Sequence, residues 1–114
     1  MKGFELVPEG TLWPSGNYES IAMLPITPEQ VAAVVEAPLV NGIEPGLGPW
    51  EAIGLRLESG ASVELIYYSM APEPKGVEVR VDKNANFHAS LQQVITLFGL
   101  PLESLDWVSP LACA

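Results

Sequence analysis

Basic residues are scarce in this sequence, and they are unevenly placed. The 114 residues include five Lys and Arg against fourteen Asp and Glu, for a formal net charge of −9. No base occurs from Gly3 to Leu55, a stretch that carries seven glutamates. Because phosphate backbones attract bases, this composition argues against nucleic-acid binding. This acidic stretch either attracts a cationic partner electrostatically or serves only to keep the protein soluble.

Cysteine and histidine occur once each, as Cys113 and His88. One cysteine excludes a disulfide within the chain, and the pair is too few for zinc sites of the usual composition. A Ser-His-acid triad would have to include His88, which we expect on the polar face of a helix without a catalytic task. The glycines at 42, 46 and 48 do not form a phosphate-binding loop. We therefore expect no metal and no cofactor, and a frayed terminal thiol at Cys113.

Long apolar runs are also missing, although hydrophobic residues make up 48% of the chain. No run approaches 18 residues, and Lys2 is not followed by an apolar signal segment, so we expect no membrane span and a cytoplasmic location. The length corresponds to one domain, because domains usually hold about 100–150 residues. We expect a single α+β domain over 1–114, irregular in its N-terminal third, where seven of the eleven prolines lie before residue 50.

Two helices are predicted from their end signals. The first, about 28–37, begins with a capping box formed by Thr27 and Gln30. The second, about 86–98, ends at Gly99, which suits the left-handed turn that closes many helices. Each helix has an apolar stripe at helical spacing, so both need an apolar surface to pack against.

Strict alternation of apolar and polar residues predicts an antiparallel meander in the second half of the chain. Its three strands span about 50–58, 61–70 and 76–82. Their apolar residues are odd-numbered, and a three-residue loop at Glu58–Gly60 keeps those residues on one face, whereas a two-residue loop would turn one strand over. This register places Trp50 opposite or beside Tyr68.

The predicted fold is this three-stranded meander with both helices on its odd-numbered face. Two N-terminal runs, Phe4–Val7 and Tyr18–Leu24, have strand-like composition and are predicted as an additional hairpin of edge strands, joined by Pro8–Asn17. The Asn-Gly, Pro-Gly and Gly-Pro pairs of 39–49 predict a loop. We expect the proline-rich connection around 72–74 to protrude, and a short segment near Leu105 and Trp107 to cover an edge of the core.

The opposite, even-numbered face of the meander is predicted to remain open. Its candidate binding residues are Trp50, Arg56, Glu64, Tyr68 and Arg80. Aromatic and arginine side chains often anchor interfaces, although cross-strand charge pairs can also simply stabilise a solvated sheet. Glu64 and Glu78 could act as acid and base only if their pKa values diverged. Because nothing in the sequence separates them, we expect no catalysis.

The composition and the predicted face together favour a non-catalytic protein-binding module, such as an inhibitor, with a basic protein as partner. The small acidic α+β design is similar in class to the bacterial immunity proteins that cap basic toxin active sites, a similarity that rests on no particular residue. Two alternatives remain open. One is a small-molecule site or minor enzyme on the Trp50/Tyr68 face beneath the Pro72–Pro74 loop, and the other is a homodimer through that face.

Overall fold

A computed structural model describes residues 3–7, 18–71 and 76–113, with the side chain of Cys113 left out. The connection at 8–17 and the loop at 72–74, both subjects of predictions above, lie outside the described residues, as does the Cys113 thiol. The elements are β1 (Phe4–Val7), β2 (Tyr18–Leu24), α1 (Pro28–Val35), β3 (Val40–Glu44), β4 (Gly48–Leu57), β5 (Ser62–Tyr68), β6 (Val77–Asp82), α2 (Phe87–Phe98), a 3-10 turn (Leu102–Ser104), β7 (Trp107–Val108) and α3 (Pro110–Cys113). No helix in these described ranges is long and apolar enough to cross a bilayer.

The seven strands form one sheet in the order β1-β4-β5-β6-β2-β7, with β3 also paired to β4. All of these pairings are antiparallel. β3 and β1 share one edge of β4, since β3 pairs along its first half and β1 along its second half. The meander β4–β5–β6 is therefore central, with β1 and β3 on one side of it and β2 and β7 on the other.

The predicted meander with two helices describes only part of this fold and is wrong as a fold class. In the described ranges the sheet has seven strands rather than three, and a third short helix follows β7. The two N-terminal runs are strands with the predicted bounds, but they do not form a hairpin: β1 pairs with β4 and β2 with β6. Nor is β2 an edge strand along its whole length, because β7 pairs with Ala22 and Met23 on its other side. Apolar alternation identifies a strand, whereas its partner depends on contacts distant in sequence.

The segment 39–49, predicted as a loop, contains β3 and the start of β4. Its turn is confined to Pro45–Leu47, where the Leu47 amide donates to the Glu44 carbonyl oxygen at 3.1 Å. β3 includes Asn41 and Gly42, which have low strand propensity, so pairing with β4 overrides local preference. Near the C-terminus Leu105 does pack against the core, whereas Trp107 remains about half exposed in β7.

The register of the first meander hairpin is confirmed. The Leu57 amide donates to the Ala61 carbonyl oxygen at 2.8 Å, and the Gly60 amide donates to the Leu57 carbonyl oxygen at 2.9 Å. Gly60 has φ +92°, the left-handed conformation that a three-residue hairpin loop requires. Trp50 lies opposite Tyr68, as the odd-even alternation predicts.

The main core lies between the odd-numbered face of the meander and helices α1 and α2, which share that face as predicted. Thr27 caps α1 in a reciprocal capping box with Gln30, and Glu36 ends the helix in a left-handed conformation, two residues before Pro38. Asn86 caps α2 by accepting a hydrogen bond from the Ala89 amide. Fully buried members of this core include Val31, Val35, Leu55, Leu65, Val79, Leu91 and Val94.

The even-numbered face, expected to be open, is largely buried. Val7, Ala52 and Ile66 form a second small apolar cluster there, with Trp50 and Tyr68 partly buried against it. Ile66 is 2% exposed and Glu64 is 1% exposed. The prediction of an open recognition face is therefore wrong. Alternation in the sequence shows which side chains share a face, but Val7 reaches this face only because β1 pairs with β4.

Candidate functional site

Arg80 is the centre of a polar network on the even-numbered face. It lies on β6, opposite Glu64 of β5 and Ser20 of β2. Its Nε donates to Glu78 Oε2 at 2.7 Å and its Nη1 donates to Glu64 Oε1 at 3.3 Å. The remaining Nη2 donates to the Tyr68 hydroxyl at 3.2 Å. Three side chains thus fix the guanidinium in one orientation.

This network extends beyond the meander on both sides. The Ser20 hydroxyl donates to Glu78 Oε2 at 2.7 Å, and the Tyr68 hydroxyl donates to Glu44 Oε1 of β3 at 3.1 Å. The Arg80 guanidinium carbon lies 5.7 Å from the centroid of the Tyr68 ring, within the range of a cation–π contact. The side chains therefore connect β2, β6, β5 and β3 across the sheet.

Glu64 is a buried carboxyl group with an incomplete set of hydrogen bonds. Its Oε1 accepts from Arg80, whereas its Oε2 has no hydrogen-bond partner among the described residues. Burial raises the pKa of Glu64 above its usual value, and the nearby carboxylates of Glu78 and Glu44 add to that effect, while the charge of Arg80 opposes it. Glu64 therefore takes up a proton more readily in the folded protein than an exposed glutamate would.

Because the pKa of Glu64 is raised on folding, its contribution to stability should decrease as the pH rises above the usual value of 4.5. Above that pH the folded state binds more protons than the unfolded chain. Protonated Glu64 therefore contributes fully to stability at lower pH, and this contribution is lost as Glu64 deprotonates. Glu64→Gln keeps the acceptor for Arg80 but cannot ionise. In urea unfolding between pH 4.5 and 7, this variant should gain stability relative to wild type as the pH increases.

The control for this titration is Leu111→Gln, which changes an exposed side chain that does not ionise, so its unfolding free energy should run parallel to that of wild type across the same pH range. Parallel profiles for wild type and Glu64→Gln would show that Glu64 ionises alike in the folded and unfolded states.

The five predicted binding residues do not form one site. Glu64, Tyr68 and Arg80 meet in the network, and Trp50 lies beside it, opposite Tyr68. Arg56 is exposed toward the far end of β4, where it forms no ion pair with any residue in the described ranges. Ser20 and Glu44 join the network without having been predicted, because their strands reach it only through pairings that the sequence pattern does not reveal.

The side chains most available for contact lie at the β3–β4 hairpin and the turn after β5. Ile43 is 79% exposed, Leu47 50% and Met70 73%. The Ser69 amide donates to the Pro49 carbonyl oxygen at 3.3 Å, which holds the turn beside the hairpin. A Cβ atom on Gly48 would lie 3.3 Å from the Met70 sulfur. We refer to the residues Ile43, Leu47, Pro49, Trp50 and Met70 as the hairpin surface.

Trp50 lies across β3 at Gly42, its partner in the register. A Cβ atom at position 42 would overlap the indole ring, so only glycine allows the ring to rest there. A groove of about 440 Å³ runs alongside. The described residues that line it are Asn41, Gly42, Ile43, Pro49, Trp50, Glu51 and Ser69.

The carboxylates of Glu44 and Glu51 border the hairpin surface. Glu44 is exposed and Glu51 partly exposed, and the paired part of the hairpin, residues 40–52, lies within the stretch from Gly3 to Leu55 that contains no Lys or Arg. Arg80, the cation linked to Glu44 through Tyr68, is itself bonded to Glu64 and Glu78. The hairpin surface is therefore apolar with an acidic border.

A second concave feature, of about 400 Å³, lies where α2 begins. The described residues that line it are Ser59, Gly60, Ala61, Ser62, Asp82, Asn84, Ala85, Asn86, Ala89 and Ser90. They are small or polar, with neither a base nor an aromatic ring among them. In the described part of the chain, no group of three or more His, Cys, Asp or Glu is placed to hold a metal ion.

Comparisons of the chain with protein-family models, with curated proteins and with solved structures yield no match. The geometry of the side chains is therefore the basis on which a function can be argued. Its two distinctive features are a partly buried polar network centred on Arg80 and an exposed apolar surface at one end of the sheet.

Proposed function

We propose that this protein is a non-catalytic binding module that recognises a basic protein through the hairpin surface. The observation that carries the proposal is the exposure of Ile43, Leu47 and Met70 within one hairpin and the turn beside it. Single exposed apolar residues are common, whereas grouped ones mark interaction sites. Trp50, which lines the groove together with Ile43, belongs to a residue type that frequently anchors interfaces.

The acidic border favours a basic partner over a second copy of this chain. A dimer through the hairpin surface would bring together Glu44 and Glu51 of both copies, and each copy has a formal net charge of −9. Like charges at an interface oppose association, while complementary charges accelerate it. A partner with Lys or Arg around an apolar patch therefore fits this surface better.

The buried network supports the same role by fixing the hairpin. Arg80 holds the Tyr68 hydroxyl, which in turn donates to Glu44 of β3. A surface that is ordered before binding loses less conformational entropy on association. The network is poorly suited to catalysis, because Glu64 is buried and the guanidinium of Arg80 is already bonded to three side chains.

The test uses the double variant Ile43→Asn/Met70→Gln, which removes apolar contact without changing charge. A basic protein isolated by binding to wild type should bind this variant at least tenfold more weakly, since apolar anchors carry much of the binding energy at interfaces. The rate at which this basic partner associates with wild type should fall as sodium chloride rises from 50 to 500 mM. Surface plasmon resonance measures both quantities.

Leu111→Gln is the matched control, because Leu111 is also an exposed apolar side chain but lies on α3. It should bind the partner with wild-type affinity, and circular dichroism should show that all variants are folded. The proposal is wrong if every partner that wild type binds is also bound by the hairpin variant with equal affinity. An association rate that does not depend on salt would show that the partner is not recognised through its positive charge.

A small-molecule site is the second candidate, because the groove beside Trp50 exceeds the roughly 300 Å³ typical of ligand pockets. In a fragment screen by nuclear magnetic resonance, such a site would give saturable shifts at the amides of Gly42 and Ser69. Binding of a fragment in this groove without any protein partner would favour this function over the first.

A further inference from the structure

We infer that the basic partner binds as an added β-strand, with an extended segment pairing along the free edge of β3. This inference rests on the proposed function and specifies the conformation of the partner. β3 pairs with β4 on one side, and no described strand pairs with its other side. The unpaired N–H and C=O groups of such an edge can hydrogen-bond to an extended chain.

The edge of β3 lacks the features that usually block strand addition. Proteins protect exposed edges with lysine, proline, bulges or very short strands. The sequence of β3, Val40–Glu44, contains neither lysine nor proline, and its register with β4 runs without a bulge. The other outer strands are shorter, since β1 has four residues and β7 has two. β3 is therefore the more accessible edge for pairing.

The side chains along this edge favour a partner segment whose two faces differ in chemistry. Successive residues of a strand point to opposite faces, so Gly42 and Glu44 share one face and Ile43 occupies the other. On the first face the Trp50 indole covers Gly42, which places an aromatic ring and a carboxylate side by side. This pair suits lysine or arginine, through cation–π contact and charge attraction. On the second face, the exposed Ile43 suits an apolar residue.

A strand that alternates basic and apolar residues satisfies both faces at once. Its basic side chains would lie over Trp50 and beside Glu44, while its apolar side chains would pack against Ile43. The groove of about 440 Å³, which Ile43 and Pro49 line on the second face, leaves room for the apolar side chain that packs against Ile43.

The test uses the full chain and the synthetic peptide acetyl-Lys-Val-Lys-Val-Lys-Val-Lys-amide. In ¹⁵N-labelled protein at 50 mM salt, the peptide should give saturable amide shifts in β3 and slow hydrogen exchange at alternate β3 amides. A peptide of the same sequence with all seven residues N-methylated has the same charge but lacks backbone donors on both edges of the strand. It should bind at least tenfold more weakly.

Protein variants provide the second arm of this test. Ile43→Lys places a lysine on the edge and should abolish binding of the unmethylated peptide, whereas Leu111→Lys adds the same charge on α3 and should leave it unchanged. Equal binding of the two peptides at the hairpin would overturn strand addition while leaving the proposed function intact. Shifts confined to residues outside the hairpin, or no shifts at millimolar peptide, would also overturn it. Failure of the proposed function would appear separately, as an undiminished affinity of the partner for Ile43→Asn/Met70→Gln.

Discussion

Replacing Arg80 with methionine should destabilise the protein by about 3 kcal/mol, because it leaves a buried carboxyl group without its counter-ion. Glu64 is 1% exposed and Arg80 is the side chain that neutralises it. The same substitution removes the donor to Glu78 Oε2 at 2.7 Å and the donor to Tyr68. Methionine retains most of the apolar volume, so the loss reports the polar contacts. Urea unfolding at pH 7, followed by circular dichroism, measures the effect.

Arg56→Met is the matched control for this prediction, since Arg56 is also a strand arginine but is exposed and unpaired among the described residues. Its unfolding free energy should change by no more than about 0.5 kcal/mol. Adding Glu64→Leu to Arg80→Met should recover much of the lost stability, because an apolar pair can replace a buried ion pair at little cost. Equal losses for the two arginine variants would show that the network contributes nothing specific.

Gly42→Ala should destabilise the protein by about 2 kcal/mol, because the new methyl group occupies space that the Trp50 ring now fills. The indole must leave β3 or the two strands must separate. The Trp50 Nε1–H resonance should therefore shift, and the lysine–valine peptide should lose affinity because its aromatic contact has moved. Thermal unfolding and nuclear magnetic resonance report the two effects.

Gly46→Ala is the control that separates the steric clash with Trp50 at position 42 from the stability lost by replacing a glycine in the hairpin backbone. Gly46 lies in the turn of the same hairpin with φ +85°, but a Cβ atom there meets nothing within 4 Å. It should cost about 1 kcal/mol through backbone strain and leave the Trp50 resonance in place. If Gly42→Ala behaves like Gly46→Ala, the indole does not need the space at position 42.

The parts of the fold that follow from the sequence are those encoded by neighbouring residues. Alternation of Ile53, Leu55 and Leu57 marks a buried face, and Gly60 marks the left-handed position of the loop. Together they determine the register of β4 and β5 before any distant contact is known. Helix caps at Thr27 and Gly99 are local in the same sense, and both helices lie close to their predicted bounds.

The remainder of the fold depends on contacts between segments far apart in sequence. β2 pairs with β6 and β7, which are not its neighbours along the chain, so its composition could reveal a strand but not its place in the sheet. β3 lacks alternation altogether, and Asn41 and Gly42 suggest a turn. For the same reason, the hairpin surface was not predicted as a site, although Trp50, one of its residues, is among the five predicted binding residues. The one signal for it in the sequence is the presence of Ile43 and Leu47 in an otherwise turn-rich segment.

The polar network around Arg80 also has one part that the sequence predicts and another that depends on distant contacts. Alternation correctly places Glu64, Tyr68 and Arg80 on one face, and the structure joins them by hydrogen bonds. The burial of that face was not predictable, since part of it comes from Val7, which reaches this face with β1. Ser20 and Glu44 likewise enter from strands whose partners the sequence does not specify.

The position of β2 between β6 and β7 has a consequence for biosynthesis. Ser20 hydrogen-bonds to Glu78, 58 residues later in the chain, and at roughly 5–20 residues per second the ribosome needs several seconds to produce that partner. During this interval the apolar side chains Ile21 and Leu24 have emerged without the strands that will cover them. Pairing of β2 with β6 can therefore begin only after β6 has been translated, and until then the nascent chain presents an apolar segment that holding chaperones can bind.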